Sequence, residues 1–307
     1  MRIVSLVPHA TELLFALGLG PEVMAVTHEC DHPPAALELP RVTRDVLRAG
    51  LSAREIDQAV RERTLEGEAI YELDRQALAA IEPDLIVTQA LCPVCAVSYE
   101  EVAELARGLP SEPRVIALDP NTLEEALTDM GAVAAATGHD AQGAELAAAT
   151  EARTERVTEA VKGQLRPRVA ALEWLDPVYV AGHWTPQLIG LAGGQDVLGH
   201  AGTPSQTVSW EAVAAAQPEV VVVMPCGYDA PRAHTEAVSY SAQLAGLNAE
   251  RIVAVNASAY FSRPGPRLID GLELLAQILH PECVAEMPLA GKALAVELSA
   301  SVGGDAR

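Results

Sequence analysis

The chain has 307 residues, half of them apolar, and a formal charge of −21. The length exceeds what one compact core usually organises, so two lobes are expected. The acidity argues against a phosphate-backbone partner, which needs a basic patch, and against an anionic membrane surface. It reads most simply as a solubilising charge.

No stretch approaches the ~18 uninterrupted apolar residues of a membrane span, so no membrane insertion is expected. Five scattered cysteines do not describe a disulfide scaffold. The opening "MRIVSLVPHATELLFALGLG" reads as a strand, a Pro turn and a helix start, not as a signal peptide. A cytoplasmic location is expected for the chain as written, and an extracytoplasmic one if a leader has been removed.

In chain order, "RIVSLVP" (2–8) leads into a helix expected from about Thr11, with Thr11 as N-cap and Gly18 as its stop. "VMAVT" (23–27), "DLIVTQ" (84–89) and "RVIALDP" (114–120) are further apolar runs, each followed by a turn-rich loop. Such runs alternating with helical stretches read as buried parallel strands in an α/β arrangement. From Thr122 to about Leu165 the sequence is helical, interrupted at "TGHD" (137–140). Residues 141–165 suit one helix of about 35 Å, ended by Pro167. The alternation then resumes with "RVAALEW" (168–174), "VYVAG" (178–182), "EVVVVMP" (219–225) and "RIVAVNA" (251–257). "LAGGQDVLG" (191–199) reads as a helix C-cap and turn. The expected organisation is an N-terminal α/β lobe (1–121), a helical segment with a bridging helix (122–166), a C-terminal α/β lobe (167–287) and a tail (288–307).

Ligand sites of open parallel sheets gather at the carboxyl ends of the strands. The loops there carry Pro8 and His9; His28, Cys30, Asp31 and His32; Cys92 and Cys95; Trp174; His183 and Trp184; Cys226 and Tyr228; and Tyr260, Phe261 and Arg263. Rings from several loops suit a large, partly apolar ligand between flat walls, although a single ring after a strand can simply plug the end of a sheet. Cys92-Pro93-Val94-Cys95 has the spacing of a zinc knuckle or a thioredoxin-type pair. Cys30 and Cys226 could complete a metal site with Cys92 and Cys95, as could His28, His32 or His183. A buried apolar pair, or a disulfide that stiffens the loop, is the plainer alternative. No G-x-S-x-G, phosphate-binding loop, G-x-G-x-x-G after a strand or H-E-x-x-H is present, which favours a binding protein over an enzyme.

Several segments in order carry a family pattern: "RIVSLVPHATELLFALGLGPEVMAVTHECDHP", "LDRQALAAIEPDLIV", "GLAGGQDVL", "VSWEAVAAAQPEVVVV" and "AYFSRPGPRLIDGLELLAQILHP". Together they resemble the class III substrate-binding proteins of ABC importers, the cobalamin and iron-siderophore group, over roughly residues 1–283. The resemblance implies an α/β fold of two Rossmann-like lobes with parallel sheets joined by one long helix, no enzymatic activity, and cobalamin or another corrinoid as ligand in a cleft between the lobes. It implies a lining from Pro8, His9, Gln89, the 89–95 loop with Cys92 and Cys95, His183, Trp184, Gln206, Tyr260, Phe261 and Arg263. His183 or a cleft thiol could reach cobalt. It also places Asp74 and Glu211 where family members dock on an ABC permease. The stretch 52–74 inserts a charged helix before Asp74, and the cysteine loop is no general family feature. The chain is expected to act as a monomer. The alternative readings are a binder of iron-siderophore, haem or a metal ion, and an enzyme acting on a corrinoid or metal tetrapyrrole.

Overall fold

The computed structural model describes residues 1–48, 50–90, 97–284 and 291–297. Cys92 and Cys95 lie outside the described residues. The elements run β1 (Ile3–Ser5), α1 (Pro8–Ala16), β2 (Val23–Ala25), β3 (Thr43–Asp45), α2 (Ala53–Leu65), β4 (Tyr71–Leu73), α3 (Arg75–Ile81), β5 (Leu85–Gln89), α4 (Tyr99–Gly108), β6 (Arg114–Leu118), α5 (Leu123–Thr137) and α6 (Asp140–Ala160). They continue with β7 (Arg168–Leu175), β8 (Val178–Val180), α7 (Thr185–Leu191), β9 (Gln195–Asp196), β10 (Gln206–Val208), α8 (Trp210–Ala215), β11 (Val220–Val223), α9 (Ala230–Ser239), α10 (Ser241–Ala245), β12 (Arg251–Val255), α11 (Ala257–Tyr260), α12 (Leu268–Leu279) and β13 (Ala293–Ala295).

Two compact units divide the chain. The first comprises Met1–Arg153 together with Arg263–Leu268; the second comprises Thr154–Ser262 and the described residues from Ile269 onward. The division falls inside α6, a helix of 21 residues spanning about 31 Å.

In the first unit the main sheet has the order β2-β1-β5-β6 and is parallel throughout. Both faces are covered, which is why its strands read as unbroken apolar runs rather than alternating ones. Ile3, Val23, Leu85 and Val87 pack on one side with Leu14 and Leu17 of the α1 region. Val4, Ala25 and Ile86 pack on the other with Leu78 and Val102. The period of two sends neighbouring residues to opposite cores. A separate antiparallel ribbon pairs β3 with β4.

Helix α1 begins at Pro8, earlier than the expected Thr11 start, because Pro fits the first helical position where no N–H partner is needed. Its N-cap is Val7, which supplies no side-chain cap. Thr11 lies inside the helix and turns its hydroxyl on Ser5 Oγ at 2.8 Å. Gly18, at φ +83°, does end the helical stretch, a backbone setting that suits glycine. Helices α2 and α5 both start with complete capping boxes, Ser52 with Glu55 and Thr122 with Glu125.

In the second unit the sheet order is β10-β8-β7-β11-β12-β13, with β9 beside β7. The β7, β11 and β12 strands are mutually parallel. The "VYV" run is not a further parallel strand: β8 turns back antiparallel on β7 through Asp176-Pro177, and β10 and β13 are antiparallel as well. Gly193 (φ +81°) makes the expected turn after α7, and the chain then adds the short β9 parallel to β7. Helix α6 ends at Ala160, short of the expected Leu165, and leaves through a turn with Gly163 at φ +78°, so Pro167 is not what stops it. Among the described residues no helix is long and apolar enough to cross a membrane.

Candidate ligand-binding site

In the first unit the carboxyl ends of β1 and β2 are laced together by small polar groups. Thr11 Oγ1 lies 3.1 Å from Cys30 Sγ, and Thr27 Oγ1 lies 3.2 Å from the same sulfur. Cys30 is buried, and burial pushes its thiol up despite those contacts. This is a buried thiol holding α1 to the loop after β2, a poor source of metal-binding thiolate. Cys226, in the second unit, is exposed. Among the described residues no three His, Cys, Asp or Glu side chains gather as a metal site.

Pro8 opens α1, and His9 beside it is only 4 % exposed. Burial, helped by the charge of Arg263, pushes the His9 imidazole down to about 3, so it is neutral at physiological pH. Its Nε2 has no hydrogen-bond partner among the described residues. Gly265 packs directly on it: a Cβ there would stand 3.1 Å from His9 Cβ.

A buried polar cluster of this unit centres on Glu12, whose side chain is 2 % exposed. Arg267 grips it with two bonds, Nε to Oε2 at 2.8 Å and Nη2 to Oε1 at 2.5 Å. Arg263 Nη1 reaches the same carboxylate at 3.3 Å and Asp31 Oδ1 at 2.5 Å, while its Nη2 donates to Glu29 O at 3.1 Å. Arg263 is therefore a clamp that fixes residues 263–268 to α1 and the loop after β2, with its guanidinium already engaged. Gln89 ends β5 and is buried. Asp74 is the N-cap of α3, accepting from Ala77 N at 2.9 Å, and is exposed.

In the second unit the antiparallel return of β8 delivers Gly182, His183 and Trp184. His183 adopts φ +50°, unusual for a non-glycine residue and costly enough to need support. Support comes from its N–H donating to Thr203 O at 2.6 Å and its carbonyl accepting Gly202 N–H at 2.9 Å. Gly182 is obligatory here, since a Cβ would lie 2.3 Å from Thr203 O. Trp184 is 5 % exposed, and its Nε1–H donates to Phe261 O at 2.8 Å. Phe261 is itself 2 % exposed. Both rings are largely core, with little surface left for a ligand. Burial also pushes His183 down, favouring its neutral form.

Further rings stand at the ends of β11 and β12, Tyr228 buried and Tyr260 less so. The Tyr228 ring meets Trp174 edge-on at 5.5 Å, and the Arg232 guanidinium lies 3.7 Å over it. Tyr260 is half-buried, with the Lys292 ammonium 5.6 Å from its ring. Gln206 is exposed at the start of β10, paired with Val180. Glu211 is exposed in the first turn of α8.

Two groups escaped the sequence reading. Glu12 sits in a helix-period stretch that resembles any amphipathic start. Glu173 was legible as the one acidic residue in the apolar run of β7. Its Oε2 accepts from Ser205 Oγ, and burial pushes the carboxyl up to about 7.

The sequence matches a family described as periplasmic binding protein over residues 3–256. The chain belongs to that family. This is a family of binding proteins rather than enzymes. A vitamin B12-binding protein of Vibrio cholerae is 26 % identical over 280 residues, covering 91 % of this chain and 88 % of the relative. The crystal structure of the periplasmic vitamin B12-binding protein of Vibrio cholerae superposes with a TM-score of 0.66 at 24 % identity, covering 91 % of this chain and 96 % of that one. A periplasmic haem-binding protein from Pseudomonas aeruginosa superposes with a TM-score of 0.72 at 21 % identity, covering 96 % and 98 %. At such identity the structures establish the fold of this binding protein and not its ligand.

Proposed function

We propose that this binding protein takes up a corrinoid, cobalamin or a close relative, on loops at the carboxyl ends of its parallel strands, and serves an ABC importer. The observation that carries the choice is the charge state of those loops. In the first unit Arg263 and Arg267 are already matched by Glu12 and Asp31. A ligand with anionic propionates, such as haem, has to compete with carboxylates fixed at hydrogen-bond distance. A corrin fringed with neutral amides does not. The chain's overall acidity works in the same direction. The vitamin B12-binding relative supports the same choice.

His9, with a neutral imidazole whose Nε2 has no partner among the described residues, and the half-buried Tyr260 lie where ligand loops belong. Pro8, Gln89, His183, Trp184, Gln206 and Phe261 complete the proposed lining. Trp184 and Phe261 act mainly by holding it in shape. Asp74 and Glu211, one exposed on each unit, are the proposed contacts to a permease. The family's periplasmic naming supports a station outside the cytoplasmic membrane, where a monomer would meet that permease.

An absorbance titration of the purified protein with aquacobalamin tests the reading. A saturable shift of the cobalt bands at one equivalent supports it and reports whether a protein nitrogen or sulfur enters the axial position. An unchanged spectrum combined with no retention of the ligand on desalting refutes it.

A further inference from the structure

We propose that Glu173 is a ligand-facing carboxyl that sets the charge preference of the site, accepting a primary-amide periphery and rejecting a carboxylate one. This rests on the corrinoid reading above and names the group that would enforce it.

Glu173 stands near the carboxyl end of β7, the strand hydrogen-bonded in parallel to β11. Ligands of parallel sheets collect at that end. Val169 to Leu172 before it and Leu175 after it are buried and apolar, so a carboxyl here answers no packing need. Two loops are anchored to it. Its Oε2 holds Ser205, and its backbone carbonyl accepts Cys226 N–H at 3.3 Å. The 202–205 loop is in turn locked against Gly182 and His183 by the close approach described above. Among the described residues no cation pairs with Glu173, and its Oε1 has no protein hydrogen bond. The carboxyl is thus held still, largely enclosed, and has one oxygen unspent.

A primary amide satisfies that oxygen in either protonation state. Its N–H₂ donates to a carboxylate, and its carbonyl accepts from a carboxylic O–H. A ligand carboxylate offers acceptors only. It can pair with the protonated acid, and it is repelled by the ionised one in an enclosure where like charges are poorly screened. The unmatched carboxyl therefore filters ligands by the charge of their rim.

The test is calorimetric titration of the full chain, wild type and Glu173→Gln, at about pH 8, where the wild-type group is mostly ionised. The probes are cyanocobalamin and the monocarboxylates made from it by mild hydrolysis of its propionamides. Glutamine keeps a donor and an acceptor, so cyanocobalamin affinity should stay within ~3-fold while the monocarboxylates gain ~10-fold or more, as expected for removing one nearby like charge. Ser205→Ala, which removes the bond that holds the acid toward its ionised form, should narrow the preference in the same direction. If Glu173 merely pins the 202–205 loop, both substitutions lower the two affinities together, and the proposal is overturned. A wild-type preference unmoved by either substitution overturns it equally while leaving the corrinoid reading intact. Binding of neither probe by the wild type overturns both.

Discussion

Replacing Glu12 by alanine removes the carboxylate that two arginines share. Arg263 and Arg267 are only 11 % and 17 % exposed at their side chains, and Glu12 is 2 % exposed. Breaking one partner out of a buried ion pair costs about 3–5 kcal/mol, because the remaining charge stays buried without its match. Arg263 keeps Asp31 at 2.5 Å and the Glu29 carbonyl at 3.1 Å, whereas the Arg267 approach to Asp31 is 4.0 Å. Part of the charge match of the cluster therefore survives, and the low end of the range, about 3 kcal/mol, is expected. For a unit of this size that corresponds to a fall in Tm of about 6–12 °C. Urea and thermal melts of Glu12→Ala against wild type measure it. Hydrogen exchange adds the location: amides of residues 263–268 should lose protection before those of β1 and β5. A loss below about 1 kcal/mol, with 263–268 still protected, would mean the cluster behaves as a solvated surface pair and would refute the clamp.

Trp184→Ala should lower stability by about 3–5 kcal/mol through lost packing, and Trp184→Phe by only about 1 kcal/mol through the lost bond to Phe261 O; ligand affinity falling with stability unchanged would instead make the ring a contact wall. The two shifted groups give opposite pH slopes. His9 is pushed down to about 3, so the unfolded chain binds its proton first, and acidification from about pH 6.5 to 3 costs up to ~1.4 kcal/mol per pH unit that His9→Gln should abolish. Glu173 is pushed up to about 7, so the folded chain keeps its proton longer. Stability should then fall as pH rises from about 4.5 to 7, and Glu173→Gln should flatten that fall; a pH–stability profile unchanged by both variants would contradict both burials. Thiol labelling followed by peptide mapping should mark the exposed Cys226 quickly and Cys30 only on unfolding, and comparable rates would contradict the buried, hydrogen-bonded thiol.

The parallel strands were legible because each is buried on both faces, and unbroken apolar runs such as "LIVTQ" record that directly. Direction was not legible at β8. Three residues, Val178–Val180, are equally good in either sense, and only the tight return on β7 decides. The start of α1 was misplaced because Pro8 and Thr11 are both acceptable openers, and the local pattern does not reveal that Thr11 is committed to Ser5 and Cys30. The end of α6 came early because a left-handed Gly163 can leave a helix as readily as Pro167 can forbid one. The candidate site divides similarly. That Pro8, His9, Gln89 and Tyr260 stand after parallel strands followed from the strand pattern alone. What each side chain does in those loops depends on partners far away in sequence: Arg267 meets Glu12 across 255 positions, and Trp184 meets Phe261 across 77. No local spacing encodes such pairs. Trp184 and Phe261 are almost wholly buried, which no local pattern reveals, and an acid inside an apolar strand is easily passed over.

The most direct test of the whole account is a side-by-side calorimetric titration of the purified chain with cyanocobalamin and with haemin at neutral pH. One-to-one binding of cyanocobalamin, at least ~10-fold tighter than haemin as a difference of about 1.4 kcal/mol requires, is the predicted result. Tighter binding of haemin would contradict the preference for an uncharged rim.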